Sequence, residues 1–204
     1  MKRSIVIILA CFISLFSQAQ EKETLVMITT DYGEIIVKLY NDTPIHRDNF
    51  IKHVKNGDYN NTEFHRVIKN FMIQGGAVES ADYTLSAEIL PNHFHKRGAL
   101  AAARRPDNIN PEKRSSGSQF YIVQGNILPP KQIARTEREY KKKFSQEQKD
   151  IYSTIGGSPH LDGDYTVFGE VVMGLQIVDK ISKLPTSRRD RPFTRVNISM
   201  TILE

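Results

Sequence analysis

The sequence contains no tryptophan and a single cysteine, Cys11, among its 204 residues. One thiol cannot form an intrachain disulfide, so the fold has to rest on its core rather than on a disulfide framework. Charge of neither sign dominates, because 28 Lys and Arg stand against 23 Asp and Glu. Such a mild excess gives no reason to expect a nucleic-acid partner. Without internal repeats or low-complexity linkers, the length and composition indicate one globular domain.

The one long apolar run lies at the N-terminus. Residues 2–3 (KR) form a basic head, residues 4–16 are predominantly apolar, and residues 17–19 (SQA) have the small-x-small pattern of a cleavage site. This layout is typical of a secretory signal peptide, and the run is too short to span a bilayer comfortably. We therefore predict a leader over residues 1–19 and one exported domain over residues 20–204, located in the periplasm.

Cys11 leaves a second interpretation open. Residues 8–11 (ILAC) are similar to a lipoprotein cleavage site, at which Cys11 would carry a lipid anchor. The apolar run continues well past Cys11 and the segment before it is very short, which favours cleavage after Ala19. That cleavage leaves a mature chain without a thiol nucleophile or a cysteine metal ligand. Both interpretations predict that the chain leaves the cytoplasm.

Alternating apolar residues predict many strands and two well-separated helices. Strands are expected over residues 25–30, 33–39, 62–68, 71–75, 99–103, 119–123, 166–172 and 196–203. A helix between Thr43 and Gly57 is expected to present Ile45, Phe50, Ile51 and Val54 on its apolar face. A second helix contains Leu175, Ile177, Val178 and Ile181. This order indicates a mainly β fold, either a closed antiparallel barrel or a sandwich whose ends the helices cover.

A charged segment at about residues 127–157 interrupts this pattern. Its centre, residues 131–153, is dense in Lys, Arg, Glu and Gln. Four apolar residues recur there at steps of seven, four and seven, namely Ile133, Tyr140, Phe144 and Ile151. Such steps keep them on one side of a helix, and Ser145 with Gln148 has capping-box spacing. We interpret the segment as an inserted helical hairpin whose charges face solvent.

Residues 64–76, FHRVIKNFMIQGG, place a permanent cation and an amide in an apolar stretch. We interpret them as two strand arms joined at Lys69-Asn70. Because side chains alternate along a strand, Arg66, Met72 and Gln74 are expected to converge on one side. Two explanations of the arginine stay open at this point. Its head either reaches past the apolar surface into water, or lines an apolar pocket and acts on a ligand.

Four blocks in order carry a family resemblance. They are FHRVIKNFMIQGG (64–76), GALAAAR (98–104), SGSQFYI (116–122), and HLDG with VFG (160–169). Together they closely resemble the cyclophilin-type peptidyl-prolyl cis-trans isomerases, over about residues 25–203 apart from the insertion. The resemblance implies a closed eight-stranded antiparallel β-barrel capped by two α-helices, with an active groove on its outer face. It implies no cofactor.

The resemblance also implies roles for individual residues. Arg66 matches the catalytic arginine, and Gln74 matches the amide that holds the substrate carbonyl. The walls of the proline pocket correspond to Phe71, Met72, Tyr121 and Leu161. Positions lining the groove for residues before the proline correspond to Ala103, Arg104 and Gln119, and His65 matches a rim histidine.

The chemistry of proline isomerisation independently suits Arg66. Rotation about a peptide bond must overcome roughly 18–20 kcal/mol because resonance is lost. No bond breaks, so neither a nucleophile nor a metal is required. In the twisted state the proline nitrogen regains a lone pair, and a hydrogen bond donated to it favours that state over both planar isomers. Arginine is always charged and rich in fixed donors.

Three positions depart from the pattern common among such relatives. His160 stands where many carry the tryptophan that helps to bind cyclosporin, which leaves inhibitor sensitivity open. Tyr165 replaces a pocket histidine but keeps a flat ring with a polar tip. Arg104 replaces an asparagine, and with Arg105 it is expected to add positive charge at the groove edge. This positive charge would lead the groove to tolerate acidic residues in substrates.

We predict a rotamase that acts as a monomer on proline-containing peptides and on unfolded or newly exported proteins. The alternative is a proline-peptide-binding chaperone or scaffold with little turnover. We expect no metal, because no carboxylate or cysteine in the sequence pattern completes a set with His93, His95 and His160. The late basic cluster, residues 188–191 (RRDR), is interpreted as a solvated loop.

Overall fold

A computed structural model describes residues 22–203. The predicted leader and Cys11 lie outside the described residues. The strands are β1 Leu25–Thr30, β2 Gly33–Leu39, β3 Thr62–Glu63, β4 Arg66–Ile68, β5 Met72–Gly75, β6 Thr84–Leu85, β7 Ala99–Arg104, β8 Ser115–Val123, β9 Val167–Met173 and β10 Asn197–Leu203. The helices are α1 Pro44–Asn56, α2 Pro130–Glu139, α3 Gln146–Thr154 and α4 Leu175–Ser182. None of the helices in residues 22–203 has the length and apolar character needed to cross a membrane.

The strands form one antiparallel sheet that curves into a half-barrel. Its order is β3-β10-β1-β2-β9-β7-β8-β5-β4, with β6 paired to β8. The two end strands are close in sequence, since only Phe64 and His65 separate β3 from β4. The curved sheet therefore brings its two ends together around a core of buried side chains, which includes Val26, Ile28, Ile35, Val37, Phe64, Ile73, Leu100, Phe120, Ile122 and Ile198.

The expected closed barrel of eight strands is not confirmed. Residues 22–203 form ten strands, and no ladder among them joins β3 to β4. Both extra strands have a local cause. The expected strand over residues 62–68 is broken where Phe64 turns into the core, with 1% of its surface exposed. The other extra strand is β6. It lies in a stretch for which no strand was expected, and its two residues pair with Ser115 and Ser116 of β8.

Helix α1 packs on the sheet with a face that the sequence pattern predicted only in part. Phe50 and Val54 are buried as expected, whereas Ile45 is 45% exposed and His46 and His53 are buried instead. Burial of a polar ring requires hydrogen-bond partners. His46 has them, because its Nδ1 lies 2.6 Å from Glu88 and its Nε2 lies 2.9 Å from Ser115. The partners are too distant in sequence for helical periodicity to reveal them.

The charged segment forms two helices, α2 and α3, as expected. The capping box is present, because the Ser145 hydroxyl accepts from Gln148 N at 3.1 Å and the Gln148 side chain accepts from Ser145 N at 2.8 Å. A small separate core holds this segment, made of Phe94, Leu128, Ile133, Phe144 and Tyr152. Tyr140, expected in the apolar stripe, is instead 46% exposed. Tyr152 was not part of the predicted apolar stripe, yet it is fully buried.

Candidate active site

The strand pair β4 and β5 brings the cation and the amide of residues 64–76 together. In its register Arg66 pairs with Gln74 and Ile68 pairs with Met72. Asn70 adopts a left-handed conformation, with φ of 66°, which closes the turn as expected. Directly paired residues point to the same side of a sheet. Arg66 and Gln74 therefore face one another, and the predicted convergence is confirmed.

A hollow of about 170 Å³ opens on this face, here called the small hollow. Nine residues line it, all of them predicted from the sequence: Arg66, Phe71, Met72, Gln74, Ala103, Arg104, Tyr121, Leu161 and Tyr165. Its floor is formed by the apolar side chains of Met72 and Leu161 and by the ring of Tyr121, which are each at most 9% exposed. The small hollow thus combines a closely packed apolar floor with the Arg66 guanidinium and the Gln74 amide at its edge.

Arg66 is partly held by a residue that the sequence did not single out. Its Nε donates to Asp190 Oδ2 at 3.3 Å, and 44% of its side chain remains exposed. Its two terminal nitrogens have no partner among the described residues. The guanidinium is therefore anchored on one edge and has donors available toward the small hollow.

A second and larger hollow adjoins the first. It has a volume of about 890 Å³ and shares Gln74, Ala103 and Arg104 with the small hollow. Gln119 lines the larger hollow only, and its Oε1 accepts from Gln74 Nε2 at 3.0 Å. This hydrogen bond fixes the Gln74 amide at the boundary between the two hollows. The second N–H of that amide remains available to donate to a ligand.

The family model for cyclophilin type peptidyl-prolyl cis-trans isomerase/CLD matches residues 25–202. This chain belongs to the cyclophilin-type peptidyl-prolyl cis-trans isomerases. A Staphylococcus aureus (strain USA300) protein that carries a peptidyl-prolyl cis-trans isomerase name is 32% identical over 205 residues, covering 96% of this chain and 100% of the relative. A Staphylococcus saprophyticus protein with the same name is 32% identical over 192 residues, covering 89% of this cyclophilin and 93% of the relative.

Solved structures with the same fold include a Cryptosporidium parvum cyclophilin type peptidyl-prolyl cis-trans isomerase. Its TM-score is 0.68 at 23% identity, and the match covers 89% of this cyclophilin and 98% of that chain. The same protein crystallised in the presence of the dipeptide Ala-Pro gives a TM-score of 0.64 at 24% identity, with 88% and 99% covered. At these identities the likeness concerns the fold.

The cyclophilin holds Arg104 differently from the sequence-based expectation. The Arg104 side chain is 4% exposed and lies over the Tyr165 ring, with Cζ 4.5 Å from the ring centroid. Its Nε donates to Asp164 O at 2.6 Å, and its Nη1 pairs with Asp107 at 2.5 Å. The expected positive charge at the groove edge is thus neutralised at Arg104, whereas Arg105 is exposed as expected.

Three residues predicted for the site are absent from the lining of the small hollow, namely His65, His160 and Gln119. The His160 ring centroid lies 5.3 Å from that of Phe71, so His160 extends the wall outward. His65 is half-buried, and its Nδ1 has no hydrogen-bond partner among the described residues. Burial lowers the pKa of both histidines. Both are therefore biased toward the neutral form.

A buried chain of hydrogen bonds behind the small hollow escaped the sequence analysis. The Tyr121 hydroxyl lies 2.9 Å from His95 Nε2, and His95 Nδ1 lies 2.8 Å from Asp162 Oδ1. Asp162 Oδ2 then accepts from the Tyr152 hydroxyl at 2.6 Å. The chain thereby links the floor of the hollow to helix α3 of the insertion. Tyr121 and Asp162 belong to blocks that the sequence analysis singled out, but their link through His95 to Tyr152 arises only from the fold.

Proposed function

We propose that this cyclophilin accelerates X–Pro rotation in exported proteins, with Arg66 stabilising the twisted amide. The observation that carries the proposal is the placement of Arg66 and Gln74 on one edge of the apolar small hollow. The uncatalysed exchange takes roughly tens to hundreds of seconds. An enzyme of this class is therefore useful wherever chains fold outside the cytoplasm with prolines in the wrong isomer.

Arg66 suits the part of donor to the proline nitrogen. Rotation abolishes amide resonance and returns a lone pair to that nitrogen, so a donor placed there binds the twisted state more tightly than either planar isomer. Its terminal nitrogens are unpaired among the described residues, while the bond from its Nε to Asp190 limits their movement. No covalent bond changes, and the proposed mechanism consists of orientation and hydrogen bonding alone.

The apolar floor and Gln74 supply the fixed end against which the amide rotates. Met72, Tyr121 and Leu161 offer a closely packed surface for a pyrrolidine ring. Gln74 has one N–H committed to Gln119 and a second available for the carbonyl that precedes proline. The Ala-Pro dipeptide used with the Cryptosporidium parvum relative supports an occupant of this size and chemistry.

The export part of the proposal rests on residues 1–19 of the sequence. The basic head, the apolar run and the SQA cleavage pattern are the features of a secretory leader. Cell fractionation of the full chain tests it, with mass spectrometry of the mature N-terminus. A new terminus at Gln20 supports export by cleavage. A mature terminus at a lipid-carrying Cys11 would replace cleavage after Ala19 with lipoprotein anchoring, and an intact Met1 in the cytoplasm would contradict export.

The mechanism is tested by exchange NMR on an X–Pro peptide with wild type and Arg66→Ala. Loss of one transition-state donor is expected to slow catalysis by roughly 10²–10³. Arg195→Ala is the matched control, because Arg195 is 60% exposed, pairs with Glu63 and does not line the small hollow. Equal rates for wild type and Arg66→Ala would overturn the role of Arg66. Turnover at the spontaneous rate in wild type, with peptide binding retained, would favour a binding module.

A further inference from the structure

A row of three rings leads from the small hollow onto the inserted helices. The Phe71 and His160 ring centroids are 5.3 Å apart, and those of His160 and Tyr140 are 5.6 Å apart. We call Phe71, His160 and Tyr140 the ring ledge. Phe71 belongs to the wall of the small hollow, whereas Tyr140 belongs to the insertion. A large apolar ring that is 46% exposed at this place is available to a ligand.

The ring ledge is held rigidly against the hollow. The backbone N–H of Tyr140 donates to Thr136 O at 3.0 Å, which ends helix α2 in a defined geometry. Two residues later, Lys142 Nζ donates to His160 O at 2.7 Å and to Asp164 Oδ2 at 2.5 Å, and it also contacts Asp162 O. One ammonium thus ties the tip of the insertion to the segment that carries His160. The ledge is therefore a preformed surface, which lowers the entropic cost of binding.

Phe71, which precedes β5, and Gln74, near the end of β5, mark two exits from the small hollow. Gln74 stands at the end that opens into the large hollow, and Phe71 stands at the other end. They are three residue steps apart, which in extended chain corresponds to about 10 Å. In the proposed function Gln74 holds the carbonyl of the residue before proline, so that residue lies toward the large hollow. The chain that follows proline then leaves past Phe71 and over the ring ledge.

We propose that the ring ledge is a binding subsite for the residue that follows proline and prefers an aromatic side chain there. This proposal rests on the proposed function, because it takes the direction of the peptide from the role of Gln74. Aromatic side chains bind well in offset or tilted arrangements against other rings. The tilts of 37° and 43° within the ledge leave the ring edges and faces accessible. Burial lowers the pKa of His160, which keeps the central ring neutral and suited to an apolar neighbour.

The test compares two peptides that differ only after proline, Ala-Ala-Pro-Phe and Ala-Ala-Pro-Gly, by exchange NMR. Wild type is expected to show the higher kcat/KM on the Phe peptide. Tyr140→Ala is expected to lower kcat/KM about 2–10-fold on the Phe peptide and to leave the Gly peptide unchanged. Tyr140→Phe keeps the ring and is expected to retain the preference. Ile155→Ala is the matched control, since Ile155 is a 48% exposed apolar residue of the insertion outside the ledge.

Three outcomes overturn the subsite and are distinguishable. Equal losses on both peptides in Tyr140→Ala would assign Tyr140 a merely structural role while leaving the isomerase function intact. Unchanged rates on both peptides would remove Tyr140 from binding altogether. If both peptides isomerise at their spontaneous rates in the presence of the wild-type protein, the proposed function is overturned together with the subsite. Point variants are used rather than deletion of the insertion, because Lys142 and Tyr152 contact the wall segment at Asp162.

Discussion

Asp190 contacts β4 at two consecutive residues, although 124 positions separate it from Arg66. Its carboxylate accepts from Arg66 Nε at 3.3 Å, and its backbone carbonyl accepts from Val67 N at 2.8 Å. Asp190 adopts a left-handed conformation with φ of 61°, supported by a bond from its N–H to Ser187 O at 3.0 Å. The loop that sequence analysis treated as merely solvated therefore positions the proposed donor.

The first prediction concerns this contact. Asp190→Asn keeps the shape and tolerates the left-handed backbone, but it removes the charge next to Arg66. We expect kcat/KM to fall about 2–5-fold, because a half-exposed ion pair contributes only about 0.2–1 kcal/mol. The measurement is exchange NMR on an X–Pro peptide. The fall should disappear when Arg66 is already alanine, and an equal fall in both backgrounds would contradict a positioning role.

The second prediction concerns the link between the insertion and the small hollow. Tyr152→Phe removes the hydroxyl that donates to Asp162 Oδ2 at 2.6 Å and leaves a buried carboxylate with one donor fewer. We expect the free energy of unfolding to fall by about 1.5–3 kcal/mol, the range for a hydrogen bond to a charged group. Urea denaturation checks this. Tyr140→Phe is the matched control, because its hydroxyl has no partner among the described residues and its loss should change little.

The third prediction concerns stability below neutral pH. Burial, followed by the neighbouring His95 and Lys142, lowers the pKa of His160 from its ordinary value of 6.5. The unfolded chain therefore takes up this proton first as the pH falls. His160 lowers the free energy of unfolding as the pH drops below about 6.5, until the lower folded-state pKa is passed. His160→Phe keeps a flat ring and should show a shallower loss between pH 7 and 5. An unchanged slope would contradict the assignment.

Most of the small hollow could be predicted because its residues lie in short, distinctive blocks. Arg66 and Gln74 are eight positions apart, and strand alternation alone places them on one side of a hairpin. The buried face of the terminal strand was equally predictable, because Val196, Ile198 and Met200 alternate with exposed polar residues. Alternation along the strands was therefore sufficient to predict a contact when both of its residues belong to the same strand pair.

Contacts between distant segments escaped prediction for a common reason. Arg104 was expected to display its charge, yet the Asp164 carbonyl and the Tyr165 ring enclose it. Tyr140 was expected inside the stripe of the insertion, yet it stands at the end of α2 beside His160. In each case the side chain is polar or amphipathic, and its degree of exposure depends on partners that sequence periodicity does not encode.

The sequence alone determined most of the strands, the two capping helices and the inserted helical pair, because periodicity and capping signals record which face of each element is apolar. The nine residues that line the small hollow followed from the resemblance that four short blocks of the sequence carry. Only the tertiary structure decided that Asp190 holds Arg66, that Asp162 joins the hollow to α3, and that Tyr140 lies beside His160. These contacts join side chains of different elements, so they depend on how the elements pack against one another and not on the pattern within any one of them.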